Sequence, residues 1–468
     1  MSYLSQSSPV VPPETLGDIA QRMLALAKSD TMSVLIRHTA VGAARVSQGR
    51  VRLNESGDVL YIELVTQVGQ RRAVYLQYDQ LDPDTLRSVV AYLDRLARAQ
   101  PGDASPVVMP IKPITYAPCA AWYDATAAAF TSARHTVIPS LVRPLLSVGI
   151  TTTAFAGVFV RSKAYANKLG TVAMGQETDA ELIVTGWTTD GRASGWAGQA
   201  ERNWAQMHPD IIAENALRLT RMSANAVAFE PGRRTVILDR PAVVQLVREM
   251  GYHFSADATF AGRTALVDRN TGRLRIGERV IDERLTLSSD PHDPDGGYLS
   301  FNDDADPLVP MTWIERGVAK NMAFPRSSAA EYEVQPSNDP PQAMRLSVDA
   351  SYATKTVDEM IASCEEGIYV NRFAYVGGVE RDPTSGMLTG ITNGGCFLVK
   401  KGKIDKPIRN LQFLDSPWFA FNRIVAIGAP KRAAFGYAPW AGEWPVPPVV
   451  APPLMIRDFN FVAMADAI

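Results

Sequence analysis

Apolar residues recur at helical spacing in two stretches near the start of the chain. Over residues 14–28 they fall three or four positions apart and define one helical face. A second helix is predicted over residues 83–100, where Asp82 is placed to cap the first turn and Pro83 takes the first helical position. Since alternating apolar and polar stretches lie between the two helices, residues 14–100 predict an amino-terminal α+β segment.

A proline-rich stretch follows at residues 101–118. It holds five prolines, which lack the backbone N–H groups that a helix or a central strand requires, and it is predicted to be a linker. Residues 119–226 then predict a middle α/β segment. Its expected elements are a helix over 120–146 broken at Pro139 and Pro144, strands over 151–160 and 179–187, and a long helix over 203–222.

From residue 231 to residue 468 the pattern favours a sheet-rich carboxy-terminal domain. Its predicted strands cover residues 235–238, 273–281, 284–287, 367–373 and 396–400. Residues 444–453 are so rich in proline that they predict an extended or edge segment. The whole chain is therefore expected to be an α+β protein with an amino-terminal helix and sheet domain.

Composition narrows the functional classes. The chain has 468 residues, with 47 basic and 49 acidic side chains and no dense basic run, so neither nucleic acid nor a membrane is an expected partner. Its three cysteines are widely spaced and form no CxxC pair. Since the start resembles no secretory signal and no apolar stretch could span a bilayer, a cytoplasmic protein is expected.

Several short motifs occur in one order along the chain. Glu366–Val370 reads EGIYV, Thr384–Gly386 reads TSG, and the hairpin after residue 401 reads GKI and then KPIR. In order and spacing these motifs resemble the carboxy-terminal pattern of the TldD/PmbA family of peptidase-related proteins. A Pro-Gly pair followed by a TVIL strand, and Trp313–Lys320, resemble two further segments of that family.

The resemblance implies a metal site that this sequence lacks. Metal-bearing members carry HExxxH on a helix and a distant Cys, because two imidazoles and a thiolate hold zinc while the Glu accepts a proton from the zinc-bound water. One alignment places Val247, Arg248 and Tyr252 at the His, Glu and His positions. An alignment shifted by one residue places Arg248, Glu249 and His253 there. Neither gives a metal site, since an Arg supplies only hydrogen-bond donors.

The distal segment is also altered. The family's Cys-bearing stretch should fall at residues 436–446, which contain no cysteine. No cofactor, no metal ligand and no catalytic residue is therefore assigned. Arg248, Glu249, Tyr252 and His253 are instead expected to bind substrate as remnants of the cleft, and His253 could equally be a helix-end residue that caps carbonyls.

Three other features have candidate functions and simpler explanations. The acidic stretch from Asp290 to Asp306 could bind a cation, although a solvated hairpin loop is favoured. Cys396 could be a nucleophile, although a buried small apolar residue is favoured, and the same applies to Cys364. Trp440 and Trp444 could line a peptide groove or simply pack.

The resemblance implies a metal-free, non-catalytic partner subunit of a TldD/PmbA-type metallopeptidase assembly that acts on small or unfolded peptides. Its partner would be a TldD-like zinc-bearing subunit, and peptides would add as a strand to a sheet edge. Two alternatives stay open: a self-contained peptidase or other hydrolase with a rebuilt site around Glu249, His253 or Cys396, and a homodimeric peptide-binding scaffold.

Overall fold

A computed structural model describes most of the chain. It covers residues 8–29, 31–78, 82–102, 109–110, 114–130, 133–191, 193–341, 343–379, 382–436 and 447–465. The first part is built on an antiparallel sheet with the order β3-β2-β1-β4-β5-β6. Its strands are β1 (Thr31–Ser47), β2 (Arg50–Val68), β3 (Arg71–Tyr78), β4 (Thr151–Asn167), β5 (Val172–Trp187) and β6 (Ser194–Glu201).

Helices cover one face of this amino-terminal sheet. They are α1 (Pro13–Leu26), α2 (Pro83–Ala99), α3 (Asp124–Ala129), α4 (Ala133–Leu146) and α5 (Pro209–Met222). Even-numbered residues of β1 such as Val34 and Val46 pack beneath these helices, whereas odd-numbered ones such as Leu35 and Val41 pack against the carboxy-terminal domain. Because successive side chains of a strand point to opposite faces, the sheet is buried on both sides.

Strands from before and after the proline-rich stretch form this single sheet. β1 pairs with β4 from Ser33 opposite Asn167 to Val46 opposite Ala154. The predicted cap of α2 is confirmed, because the Asp82 side chain accepts a hydrogen bond from the Thr85 amide.

The carboxy-terminal domain contains two sheets. The first has the order β10-β9-β8-β11-β18-β17, and its strands are β8 (Leu285–Ser289), β9 (Met311–Glu315), β10 (Val318–Ala319), β11 (Met344–Val348), β17 (Lys431–Arg432) and β18 (Val449–Ala451). The second contains β7 (Gly232–Leu238), β12 (Glu366–Gly378), β13 (Leu388–Lys400), β14 (Lys403–Pro407), β15 (Leu411–Asp415), β16 (Ile424–Ile427) and β19 (Leu454–Met464).

The second sheet closes on itself, since β12 pairs with both β7 and β13. Helices α6 (Arg240–Met250), α7 (Ala256–Phe260), α8 (Arg326–Glu331), α9 (Val357–Ser363) and α10 (Pro417–Ala420) accompany the two sheets. Helix α6 packs its apolar face into the large core that both sheets share. The predicted α+β class is confirmed.

Three local predictions are wrong. Helix α4 continues through Pro139 and Pro144, because its apolar face is buried against the sheet and this packing outweighs the lost backbone hydrogen bonds. Residues 273–281 form turns with isolated bridges and no strand, since Gly277 has a φ of +86° in their middle. Val449–Ala451 is paired on both sides, by β11 and β17, and is therefore no edge strand.

Candidate functional site

Helix α6 and the turn after it carry the residues that align with the HExxxH motif. Asp239 caps its first turn by accepting from the Arg240 amide, and the Tyr369 hydroxyl donates a 2.8 Å hydrogen bond to the same carboxylate. At its other end α6 passes into a single 3-10 turn, Gly251–Phe254. The capped and buried helix therefore holds positions 247–253 in fixed orientations.

Arg248 and Glu249 lie at the carboxy-terminal end of α6. The Arg248 guanidinium carbon is 4.7 Å from the centroid of the Phe435 ring, which places this side chain against the irregular segment that follows β17. Gln245, one turn earlier, donates a 2.7 Å hydrogen bond to the Phe435 carbonyl. Burial raises the pKa of the Glu249 carboxyl, with Arg248 opposing this shift.

Tyr252 and His253 are neighbours in the 3-10 turn, with ring centroids 6.0 Å apart. Tyr252 is exposed, whereas His253 is buried beneath Trp418, with ring centroids 5.5 Å apart. The His253 Nδ1 accepts a 3.0 Å hydrogen bond from the Ala265 amide, and burial lowers the pKa of the ring to about 4. This ring nitrogen therefore accepts from a backbone amide and does not itself bind a carbonyl.

Neither alignment of the HExxxH motif fits a zinc ion. Val247 is 0% exposed and packs in the core, so the first alignment offers a methyl group where a ligand is needed. The second offers the Arg248 guanidinium at the first position and His253 with its Nδ1 already engaged. Across the described ranges, no group of three or more His, Cys, Asp or Glu side chains is arranged to hold a metal.

The cysteines do not offer a nucleophile. Cys396 is buried in β13, and burial raises the pKa of its thiol to about 12. Cys364 is also buried, and burial raises the pKa of its thiol as well. The prediction that both behave as buried apolar residues is confirmed. Residues 437–446, with Trp440 and Trp444, lie outside the described residues.

The acidic stretch is only in part the solvated loop that the sequence favoured, since Asp295 and Asp304 are exposed but other carboxylates are buried. Asp293 is buried and accepts hydrogen bonds of 2.5 and 2.7 Å from Arg345, and Asp306 is buried against Arg326. Asp303 crosses to the amino-terminal sheet and pairs with Lys163 at 2.6 Å and Arg37 at 2.8 Å. The carboxylates serve as partners for arginines and a lysine.

A row of charged side chains, which sequence reasoning missed, lies on the sheet face toward the carboxy-terminal domain. Its members are odd-numbered strand residues or their neighbours: Arg37, Arg161, Lys163, Glu177, Asp179, Glu181 and Arg202. Arg161 lies directly opposite Glu177 and bonds to it, whereas Arg37 lies opposite Lys163. Two cations in register repel each other, and Asp303 offsets this by bonding to both. Charged residues at alternate positions of long apolar strands were the available signal.

The charged row continues to strand β17. The Arg432 Nη2 donates to both Asp179 oxygens, at 2.7 and 2.8 Å. The Glu181 carboxylate accepts from the Phe435 and Gly436 amides at 3.0 and 3.1 Å, yet burial raises its pKa to about 7. This network ties the amino-terminal sheet to the segment that also contacts Arg248.

A cavity of about 420 Å³ opens beside this network. One wall is the charged face of β1, β4 and β5. The other belongs to the carboxy-terminal domain and combines aromatic, aliphatic and proline residues with polar ones such as Asn302, Asn338 and Asp339. A concave site with apolar surface and a few polar groups is typical of a binding pocket for a small ligand.

Comparison with known proteins identifies the family to which this fold belongs. The sequence model of the PmbA/TldA metallopeptidase C-terminal domain matches residues 231–463, which contain both carboxy-terminal sheets and helix α6. This part of the molecule is therefore a carboxy-terminal domain of the type found in these metallopeptidases. With the curated relatives and the similar structures described next, the chain belongs to the PmbA/TldD family.

Curated relatives are similar over part of their length. A metalloprotease of Archaeoglobus fulgidus is 26% identical over 242 residues, which span 50% of this chain and 54% of the relative. A metalloprotease of Methanothermobacter thermautotrophicus is 20% identical, with 63% and 66% covered. A TldD homologue described as a metalloprotease, from Haemophilus influenzae, is 25% identical, with 44% and 43% covered. The chain thus spans about half to two thirds of the length of these relatives.

Solved structures share the fold over nearly the whole chain. A proposed modulator of DNA gyrase from Bacteroides thetaiotaomicron superposes with a TM-score of 0.79 at 16% identity, covering 96% of this chain and 98% of that one. TldE from Thermococcus kodakarensis gives 0.78 at 13% identity, covering 96% and 99%. In the described part of the chain, no helix combines the length and apolar character needed to cross a bilayer.

Proposed function

We propose that this chain is a metal-free, non-catalytic partner subunit of a PmbA/TldD-type metallopeptidase assembly. The observation that supports this most is the chemistry of helix α6, where Val247 is buried as core and the Arg248 guanidinium stacks on Phe435. In either alignment the first His position must supply a lone pair to zinc. The chain offers the Val247 methyl group there in one alignment and the Arg248 cation in the other. The catalytic zinc would then be held by a TldD-like subunit.

The candidate cleft residues would serve as groove wall. Arg248, Glu249 and Tyr252 are accessible at the end of α6, and the buried His253 fixes the turn that presents Tyr252. These groups can bind peptide carbonyls, amides and carboxylates without performing chemistry on them. We therefore assign them substrate contact and no catalytic step, within a cytoplasmic assembly.

A peptide or partner strand could add to the outer edge of the amino-terminal sheet. Strand β3 pairs with β2 from Tyr61 to Val68, so in the described residues the stretch from Arg50 to Val59 has β1 on one side and no strand on the other. Val51 and Leu53 are exposed there. Unpaired backbone groups beside exposed apolar side chains favour strand addition.

The proposal is tested by reconstitution. The chain would be purified alone, mixed with a relative from the same cell that carries an intact HExxxH motif, and assayed for association by size exclusion and for cleavage of unstructured peptides. We expect no cleavage by the chain alone, a complex of the two, and a higher rate for the mixture than for the relative alone. Cleavage by the chain alone, or no association with any such relative, would contradict it.

Matched variants separate the two subunits' roles. Replacing the Glu of the relative's HExxxH motif by Gln should abolish cleavage by the mixture, since that group is the expected base. Glu249→Gln in this chain should raise KM a few-fold and leave kcat unchanged, since a residue of the groove wall contributes to substrate binding and not to the chemical step. A loss of kcat in the Glu249 variant would instead support a rebuilt catalytic site.

A further inference from the structure

The cavity on the charged face has two walls of different chemistry. Its carboxy-terminal wall has an apolar part, formed by Tyr298, Leu299, Phe301, Leu308 and prolines, and a polar part that includes Asn302, Asn338 and Asp339. Its sheet wall presents cationic groups from β1, β4 and the end of β6. The volume of about 420 Å³ lies within the range of small-ligand pockets. An occupant that satisfies both walls needs an apolar body and an anionic end.

The charges around the cavity leave a positive excess. Among the described residues that line it, the cations are Arg37, Arg161, Lys163 and Arg202, and the carboxylates are Glu177, Asp303 and Asp339. At full ionisation one positive charge is left over. Burial raises the pKa of Asp339 and lowers the pKa of Lys163, so the two shifts act on this excess in opposite directions. In a partly desolvated cavity this excess attracts an anion.

A buried donor on the wall lacks an acceptor. Arg202 is 4% exposed and bonds to Glu177 and the Thr178 carbonyl through Nη1, but its Nε has no hydrogen-bond partner. The nearest carboxylate in contact range, Asp179 Oδ2, is 3.9 Å away from this nitrogen. Leaving a buried guanidinium N–H unpaired is unfavourable, so the Arg202 side chain favours an anion beside it.

We infer that this cavity binds the carboxy-terminal carboxylate of a peptide whose last side chain is apolar. The carboxylate would lie toward Arg202, Lys163 and Arg37, and the apolar side chain would lie against the Phe301 and Leu308 wall. This assignment rests on the proposed function in taking a peptide as the ligand. Inorganic phosphate would satisfy the cations but leave the apolar wall unfilled.

The test compares two forms of one peptide. Binding of an N-acetylated Ala-Leu-Leu tripeptide to the purified chain would be measured by calorimetry with a free carboxylate and with a carboxy-terminal amide, and inorganic phosphate would be titrated separately. We expect the amide to bind at least about tenfold more weakly, since a charge-assisted hydrogen bond is lost. Equal binding of acid and amide, or phosphate binding as tightly as the acid, would overturn the inference.

Two variants test the location. Arg37→Gln removes one cation while Asp303 keeps Lys163 as its partner, so the fold is retained; Ala343→Leu fills the cavity without changing charge. Each is expected to weaken binding of the acid by about tenfold. Arg269→Gln removes a comparable surface pair with Asp382, at 2.7 Å, away from the cavity and should bind as the parent does.

The outcomes distinguish this inference from the proposed function. Unchanged affinity in both cavity variants, with melting temperatures equal to that of the parent, would refute the location. Selective binding of the acid by a chain that never associates with an HExxxH relative would retain this site and reject the partner role. Cleavage by the mixture, without any preference of this chain for the free acid, would retain the partner role and reject this site.

Discussion

At the scale of single residues, Glu181 is a carboxyl of the charged row whose pKa departs from its ordinary value. It is buried, accepts two backbone hydrogen bonds, and has its pKa raised by burial to about 7. The folded chain therefore holds this proton over a range of pH in which the unfolded chain, with an ordinary pKa of 4.5, has released it. Stability from this group is present below pH 4.5 and is lost as pH rises through 7.

Glu181→Gln removes this pH dependence. The amide oxygen can accept the same hydrogen bonds from Phe435 and Gly436 without a charge. Relative to the parent, the variant should gain up to about 3 kcal/mol in free energy of unfolding between pH 4.5 and pH 7.5. Urea unfolding at a series of pH values measures this, and parallel curves for the two proteins would refute a buried, proton-holding Glu181.

His253 has the opposite sign. Burial lowers its pKa from 6.5 to about 4. Between these two pH values the ring is protonated in the unfolded chain and neutral in the folded chain. Its contribution to stability is present above pH 6.5 and is lost as pH falls through 4. His253→Asn keeps an acceptor for the Ala265 amide and should flatten this acid limb, by on the order of 3 kcal/mol. Unfolding curves between pH 4 and 7 check this, and an unchanged acid limb would show that His253 titrates normally.

At the scale of elements, one ion pair joins strand β5 to strand β17. Among the described residues, Asp179 is the carboxylate that pairs with Arg432. It also lies close to Arg202, and all three side chains are buried. Asp179→Asn leaves two buried guanidinium groups short of negative charge. We expect a loss of about 3–5 kcal/mol in free energy of unfolding.

A surface pair provides the matched control for Asp179. Asp84 bonds to Arg87 at 3.1 Å on the exposed face of α2. Asp84→Asn should change stability little, because solvent screens this pair. Guanidinium chloride unfolding of both variants decides the matter, and equal effects would contradict a structural clamp between the two layers.

Elements with local signals were predictable from the sequence. Helix α2 has an Asp at its N-cap, Pro at N1 and one apolar face, and it begins at the predicted residue. Where a longer-range contact decided the outcome, the prediction failed. The apolar face of α4 packs well enough to carry Pro139 and Pro144 inside the helix, and β17 supplies a second neighbour to Val449–Ala451.

The candidate site was predictable only in its helix. Residues 248–253 were found through the motif, whereas the charged row depends on partners such as Asp179 and Arg432, which are 253 positions apart. No local pattern links such residues, and the acidic stretch therefore suggested a solvated loop. Alternation of charges in β4 and β5 was visible, but only the sheet register shows that Arg161 meets Glu177 and that Arg37 meets Lys163.

At the scale of the whole molecule, the amino-terminal sheet lies between its helices and the carboxy-terminal domain. Buried charges and a cavity occupy the second of these two interfaces. Helix α6 reaches the same region through Arg248 and Phe435. The family fold is thus retained, while Val247 and Arg248, which the motif resemblance aligns with the zinc site, are a buried valine and a stacked arginine. Peptide contact without chemistry is the role that we propose for this arrangement.

The most direct test of this account is the zinc content of the chain alone. The protein would be incubated with excess zinc, dialysed extensively and measured by inductively coupled plasma mass spectrometry, beside a family relative that carries HExxxH and the distal Cys. The account predicts that the relative retains stoichiometric zinc and that this chain retains none above the buffer level. One tightly held zinc ion per chain, lost on substitution of Glu249 or His253, would contradict it.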